Sequence, residues 1–82
     1  MLEPLSLDRL MDGQSAFVTR VDAEPAMRRR LLDMGLIPGT QVTCQGRSPA
    51  GDPAAYLIRG AVVALRARDA ASVGLTSGPV AV

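Results

Sequence analysis

The clearest pattern of apolar and polar positions lies in the middle of the chain. Met27, Leu31 and Met34 follow the i, i+4, i+7 spacing that places side chains on one face of an α-helix. Gly35 comes next, where a helix commonly ends in a left-handed residue that glycine adopts without a steric penalty. The pattern predicts a short amphipathic helix whose apolar stripe docks on the rest of the chain, because so short a helix is unstable alone.

Turn-forming residues predict how this helix starts and how the chain leaves it. We expect Asp22 to accept hydrogen bonds from the free amides of the first turn, and Pro25 suits that turn because it lacks an N–H. Glu24 and Arg28 are spaced as an i, i+4 ion pair in the favourable orientation. Pro38-Gly39 fits the central positions of a type II turn, so the chain should pass directly into a strand.

Short runs of β-forming residues surround the helix. Strands are predicted, in chain order, at Ala16–Val21, Thr40–Ser48, Tyr56–Arg59, Val62–Arg66 and Val73–Leu75. The second strand alternates most regularly and places Val42 and Cys44 on its buried face. Both faces of the first strand are partly apolar, which leaves its inward face open. Ser48–Pro53 predicts a hairpin loop, and Ala67–Ser72 a single helical turn.

The two ends of the chain carry weaker patterns. Leu5 and Leu7 predict an extended segment, followed by a turn at Asp8–Met11. Residues 76–82 show no periodicity and are expected to form a loose tail, so the predicted domain covers residues 1–75. About five short antiparallel strands, with one short α-helix inserted after the first main strand, predict a mainly β fold. A small SH3-like antiparallel barrel is the natural match in size.

Composition excludes several classes of function. With 82 residues the chain forms one domain, and a net charge of +1 creates no general attraction to nucleic acid. There is no histidine and only one cysteine, Cys44, so neither a Cys/His zinc site nor a nucleophile–histidine pair can be built. Phosphate-binding motifs are absent and the carboxylates are scattered. We therefore expect no catalytic, cofactor-binding or metal-binding residues.

No long apolar run or signal peptide is visible, which favours a cytoplasmic protein without membrane insertion.

Several motifs, in order and spacing, resemble those of the ferrous iron transport protein A family, whose domain is called FeoA. The matching segments are Arg30–Thr40, Gly51-Asp52-Pro53, Ile58-Arg59-Gly60, Ala64-Leu65-Arg66 and Asp69-Ala70. The resemblance implies a small cytoplasmic SH3-like protein that binds or regulates a membrane ferrous-iron permease with its own GTP-binding domain. The same domain type occurs in iron-dependent repressors, but this chain has no room for their DNA-binding part. Ala61-Val62-Val63 is plainer than the family pattern, which argues against side-chain recognition by that strand.

A protein-binding surface is the hypothesis that these observations favour. Apolar residues beside arginine at the end of the predicted helix are typical of interface centres. The candidate partner-binding residues are Arg29, Leu32, Leu36, Ile37 and Pro38. An alternative is that Leu36 and Ile37 only plug the end of the barrel. A metal-responsive SH3-like domain, a nucleic-acid- or peptide-binding barrel and a weak homo-oligomer also stay open.

Overall fold

Six antiparallel strands form one sheet in the computed structural model, which describes residues 5–76. The strands are β1 (Leu5–Ser6), β2 (Ser15–Val21), β3 (Gln41–Arg47), β4 (Ala54–Ile58), β5 (Ala61–Leu65) and β6 (Val73–Thr76). A 3₁₀ turn at Leu7–Arg9, helix α1 (Pro25–Asp33) and helix α2 (Ala67–Ala70) lie between them. The spatial order is β1-β6-β2-β3-β4-β5, and α1 occupies the connection from β2 to β3.

The inward faces of the strands meet in one apolar core. Val42 and Cys44 are fully buried, as the alternation of β3 predicts. On β2 the buried residues are Ala16, Val18 and Val21. Ala16 and Val18 define the inward face that the sequence leaves open, and Val21 joins it beyond the register shift between Val18 and Arg20. The core consists of Leu7, Leu10, Ala16, Val18, Val21, Leu31, Leu36, Val42, Cys44, Ala54, Tyr56, Ile58, Leu65, Ala70, Val73 and Leu75.

Two irregularities in the strand ladder accompany the curvature of the sheet. The register shifts between Val18 and Arg20 where β2 meets β6, and between Cys44 and Gly46 where β3 meets β4. An extra residue on one strand bends it and increases its twist, which helps a small sheet wrap around its core. The predicted mainly β, SH3-like class is confirmed. The sheet has six strands and not about five, because β1 pairs with β6.

Helix α1 begins at a different capping residue from the one that the sequence suggests. Glu24 is the N-cap, and its carboxylate accepts hydrogen bonds from the N–H groups of Ala26 (3.1 Å) and Met27 (2.9 Å). Pro25 is the first helical residue, which fixes the cap directly before it. The prediction that Asp22 caps the helix is wrong, since its carboxylate pairs with the Arg20 Nε at 2.6 Å. Glu24 is occupied by capping and does not form the predicted ion pair with Arg28.

The end of α1 follows the prediction closely. Gly35 has φ +107°, its N–H donates to the Leu32 carbonyl (2.9 Å), and the Leu36 N–H donates to the Leu31 carbonyl (3.1 Å). These two bonds form a Schellman motif, in which apolar residues at its two ends usually touch. Leu31 and Leu36 are both fully buried. Met27 and Met34 pack against the same core, which confirms the predicted apolar stripe.

Of the predicted tail, only Thr76 falls within the described part of the chain, where it is the last residue of β6. Residues 77–82 lie outside the described residues.

Candidate protein-interaction surface

The turn that follows α1 is fixed to strand β2. The Thr40 N–H donates to the Ile37 carbonyl at 3.0 Å, and Gly39 has φ +93°, as a type II turn requires. The Gly39 N–H donates to the Val18 carbonyl (2.8 Å), and the Val18 N–H donates to the Thr40 carbonyl (2.9 Å). Four residues thus hold the turn in one orientation, and Ile37 is presented outward with 40% of its surface exposed.

The structure separates the five candidate residues into two groups. Arg29, Ile37 and Pro38 are exposed, and Leu32 is partly buried against the core. Leu36 is fully buried, because the Schellman motif turns it inward, so no partner can reach it in the folded chain. Leu36 belongs to the core cluster, which agrees with the alternative that it plugs the end of the barrel. We call the remaining set, Arg29, Leu32, Ile37 and Pro38, the exit surface; contact of these residues with a partner stays a prediction.

A shallow groove runs along α1 and contains half of the exit surface. It is lined by Ala23, Pro25, Arg28, Arg29, Leu32 and Asp33. Ala23, Pro25 and Leu32 contribute apolar surface to the groove, and Arg28, Arg29 and Asp33 contribute charged groups. Ile37 and Pro38 do not line the groove, because they lie on the turn beyond the end of the helix.

Helix α1 carries three consecutive arginines, of which Arg28 and Arg29 line the groove. Arg28, Arg29 and Arg30 are all exposed. Within residues 5–76 the salt bridges are Arg20–Asp22 and Arg47–Asp12, so none of these three arginines is neutralised by a carboxylate there. The exit surface therefore combines exposed apolar atoms with the Arg29 guanidinium, which forms no salt bridge within residues 5–76 and would attract an acidic partner.

Three polar side chains, Arg47, Asp12 and Cys44, form a structural cluster at the other end of β3. Arg47 donates to the backbone carbonyls of Asp8 and Leu10 (both 2.9 Å) and contacts the Asp12 carboxylate at 3.2 Å. The Cys44 thiol lies 3.7 Å from the same carboxylate and is buried. This arrangement ties the 3₁₀ turn and the segment after it to the sheet. Sequence reasoning gave Arg47 no role, because its partners lie 35 to 39 residues away in the chain.

Neither a metal site nor a membrane span is visible in the described part of the chain. Among residues 5–76 no three His, Cys, Asp or Glu side chains are grouped as a metal site would require. No described helix has the length and apolar character to cross a bilayer.

Burial raises the pKa of the Tyr56 phenol above its ordinary value of 10.0, and the nearby Cys44 adds to this effect.

The curved antiparallel sheet with one helix between its second and third strands places the molecule in the class of small SH3-like barrels. The model of the FeoA domain matches residues 5–76. The chain belongs to the FeoA domain family, which is linked to ferrous iron transport.

Comparison with individual proteins gives the same family. The chain is 35% identical, over 69 residues and 84% of its length, to the Fe²⁺ transport protein A/Fe²⁺ transporter FeoB fusion protein of Porphyromonas gingivalis. It spans only 8% of the length of that relative.

Two solved structures show the same architecture. FeoA from Chlorobium tepidum is 37% identical with a TM-score of 0.81, covering 87% of this chain and 68% of the other. FeoA from Stenotrophomonas maltophilia, solved in complex with zinc and described as a prokaryotic SH3 domain protein, is 29% identical with a TM-score of 0.79. In that case 88% of this chain and 89% of the other are covered.

Proposed function

We propose that this chain is a non-enzymatic accessory protein of a ferrous-iron permease and that it binds the permease's cytoplasmic, GTP-binding region. The observation that carries the proposal is the Porphyromonas gingivalis relative, in which a homologous domain is fused to the transporter FeoB. Fusion holds two domains at a high effective concentration, which is useful where they act on each other. A separate chain of the same family would reach the same contact by binding. The proposal places the chain in the cytoplasm, beside the permease.

The exit surface is the part of the molecule best suited to this contact. Ile37 and Pro38 are exposed on a turn held by backbone hydrogen bonds, so they lose little conformational freedom on binding. Arg29 is exposed beside Leu32 at the groove, and arginine next to apolar anchors is typical of energetically important interface residues. The partner surface is expected to carry carboxylates facing the arginines of α1.

Co-purification with the cytoplasmic region of the permease tests this function. The wild-type chain should be retained by that immobilised region, and Arg29→Glu should weaken retention about tenfold, because it turns an attraction into a repulsion. Leu32→Glu should also weaken it, provided that circular dichroism shows a folded protein. Arg68→Glu is the matched control, since Arg68 is exposed on α2 and lies outside the exit surface. Equal retention of all four proteins would overturn the assignment of the surface, and no retention of the wild type would overturn the function.

A further inference from the structure

Arg59 has a backbone conformation that arginine rarely adopts. It has φ +52° and is followed by Gly60 with φ +85°, so both residues of the turn between β4 and β5 have positive φ. Hairpin turns of this kind favour asparagine and then glycine, because most other side chains are disfavoured at positive φ. Arginine therefore occupies this position against a local conformational preference, which indicates a use for its side chain.

The aliphatic part of the Arg59 side chain is packed against the end of helix α1. Its Cγ and Cδ atoms lie so close over Gly35 that a Cβ atom added to that glycine would clash with the Cδ. This packing restricts the rotation of the side chain and so limits where the guanidinium group can lie. A side chain that is already restricted loses less conformational entropy when it binds a ligand.

Arg59 also lines a shallow groove on the outer face of β3 and β4. The lining residues are Thr40, Gln41, Thr43, Leu57, Arg59 and Gly60. Thr43 and Leu57 are directly paired across the two strands. They lie on the outer face, because the alternate residues Val42 and Ile58 are buried in the core. The groove thus combines an apolar side chain, several hydrogen-bonding groups and one cation.

The charge of this groove selects an anionic ligand. Arg59 is exposed, and neither of the two salt bridges within residues 5–76 involves it. None of the residues that line the groove is acidic. Thr40 and Gln41 add a hydroxyl and an amide that can donate hydrogen bonds to an anion in the groove. A carboxylate is the complementary group, since a planar guanidinium can donate to it through two parallel hydrogen bonds.

The spacing of the lining residues specifies a second feature of the ligand. Leu57 and Arg59 are two residues apart, which corresponds to about 7 Å in an extended chain. In an extended ligand, side chains at i and i+2 lie on one face at the same spacing. A ligand carboxylate at Arg59 therefore places the side chain two positions away at Leu57. Because Leu57 is apolar and only half-buried, an apolar ligand side chain fits this position.

We propose that the groove lined by Arg59 binds an extended segment of a partner protein that carries a carboxylate and an apolar side chain two residues apart. Arg59 binds the carboxylate, and Leu57 contacts the apolar side chain. A second copy of this chain does not supply such a ligand through the same groove, because the groove contains no acidic residue. The site shares no residue with the exit surface and does not depend on the proposed permease contact.

A nuclear magnetic resonance titration with a designed peptide tests the proposal. The probe is a five-residue peptide with blocked ends and the sequence threonine-glutamate-threonine-leucine-threonine, added to the isotope-labelled chain. The amide signals of Thr43, Leu57 and Gly60 should shift. Replacing the glutamate by glutamine should weaken binding about tenfold, because the hydrogen bonds to Arg59 lose their charge assistance. Moving the leucine next to the glutamate should weaken binding about threefold, since neighbouring side chains of an extended chain face opposite ways.

Substitutions of Arg59 separate recognition from packing. Arg59→Gln keeps the Cγ and Cδ atoms that lie over Gly35 but removes the guanidinium group. It should bind the glutamate peptide about tenfold more weakly than the wild type does, and no better than it binds the glutamine peptide. Arg59→Lys keeps the charge without the planar fork, and should recover only part of the affinity. Arg68→Gln is the matched control and should bind like the wild type, since Arg68 is exposed on α2 and does not line the groove.

Four results would overturn the proposed peptide site. They are equal binding of the glutamate and glutamine peptides by the wild type, peptide-induced shifts that avoid the groove, equal shifts of the same signals by inorganic phosphate at the same concentration, and a dimer of the free chain formed through the groove. All four are measured on the unaltered chain, so the test does not depend on the folding of a variant. None of them bears on retention by the permease's cytoplasmic region, so the two proposals fail separately.

Discussion

The side chain of Arg59 lies directly over Gly35. A Cβ atom added to Gly35 would come within 2.7 Å of the Arg59 Cδ and 3.3 Å of the Ile58 Cγ2. Gly35 ends helix α1, and Arg59 belongs to the turn between β4 and β5. The contact therefore joins the end of the helix to the far hairpin of the sheet, and it requires a glycine both for φ +107° and for space.

Gly35→Ala should lower the free energy of unfolding by about 1–3 kcal/mol, because alanine is strained at this positive φ. Gly39→Ala is the matched control: Gly39 has φ +93°, yet an added Cβ would meet nothing within 4 Å. The alanine at position 35 should therefore cost about 1 kcal/mol more than the alanine at position 39. Denaturant unfolding measures both.

A double-mutant cycle isolates the contact itself. In an Arg59→Ala background the extra cost of Gly35→Ala should largely disappear, since the crowding atoms are gone. An unchanged difference between the two glycine variants would show that Arg59 is not the cause.

Glu24→Ala should lower the free energy of unfolding by about 1 kcal/mol, because the first two amides that Glu24 caps would lose their acceptor. Asp22→Ala should cost less than about 0.5 kcal/mol, since it removes only an exposed ion pair with Arg20. Thermal or denaturant unfolding distinguishes the two. A larger cost at Asp22 than at Glu24 would restore Asp22 as the helix cap.

Arg47→Ala should destabilise the fold by about 2 kcal/mol, because two backbone carbonyls lose a charged donor. Arg47→Lys should recover only part of this loss, since a single ammonium group lacks the planar fork of guanidinium. Arg68→Ala removes an equally charged side chain that makes no such bond in the described structure, and should be nearly neutral. Full rescue by lysine would show that charge alone matters at position 47.

Tyr56 should ionise above pH 10.0 in the folded chain, because burial disfavours the phenolate. Well below pH 10.0 the phenol is neutral in both states, so its contribution to stability is complete. As the pH rises through 10.0 the unfolded chain ionises first, and stability falls until the folded pKa is passed. Tyr56 is the chain's single tyrosine, so its ultraviolet titration is unambiguous. A native midpoint at or below that of the denatured chain would contradict the prediction.

Local chemistry makes much of this fold predictable from sequence. The helix stripe of Met27, Leu31 and Met34, the glycine at position 35 and the Pro38-Gly39 turn each depend on neighbours within a few residues. The structure has all of them as expected. The FeoA signature then supplies the family and with it the barrel.

Features that depend on residues far apart in the chain cannot be predicted from local sequence patterns. Leu36 looks like a surface candidate by its position after the helix, but its burial depends on the tertiary fold. The place of β5 at one edge of the sheet within residues 5–76 depends on strand order, which no local pattern shows. The sequence predicts the helix cap two residues too early, because Asp22 and Glu24 can both accept hydrogen bonds from a first turn. Pro25 at the first helical position places the cap at Glu24.

The exit surface is tested most directly by measuring the affinity of the chain for the permease's cytoplasmic region. Ile37→Asp and Met11→Asp place the same charge on two exposed apolar residues, one on the exit surface and one outside it. The account predicts that Ile37→Asp raises the Kd about tenfold or more, whereas Met11→Asp leaves it within about twofold of the wild type. Equal dissociation constants for the two variants, or a larger effect at Met11, would contradict it.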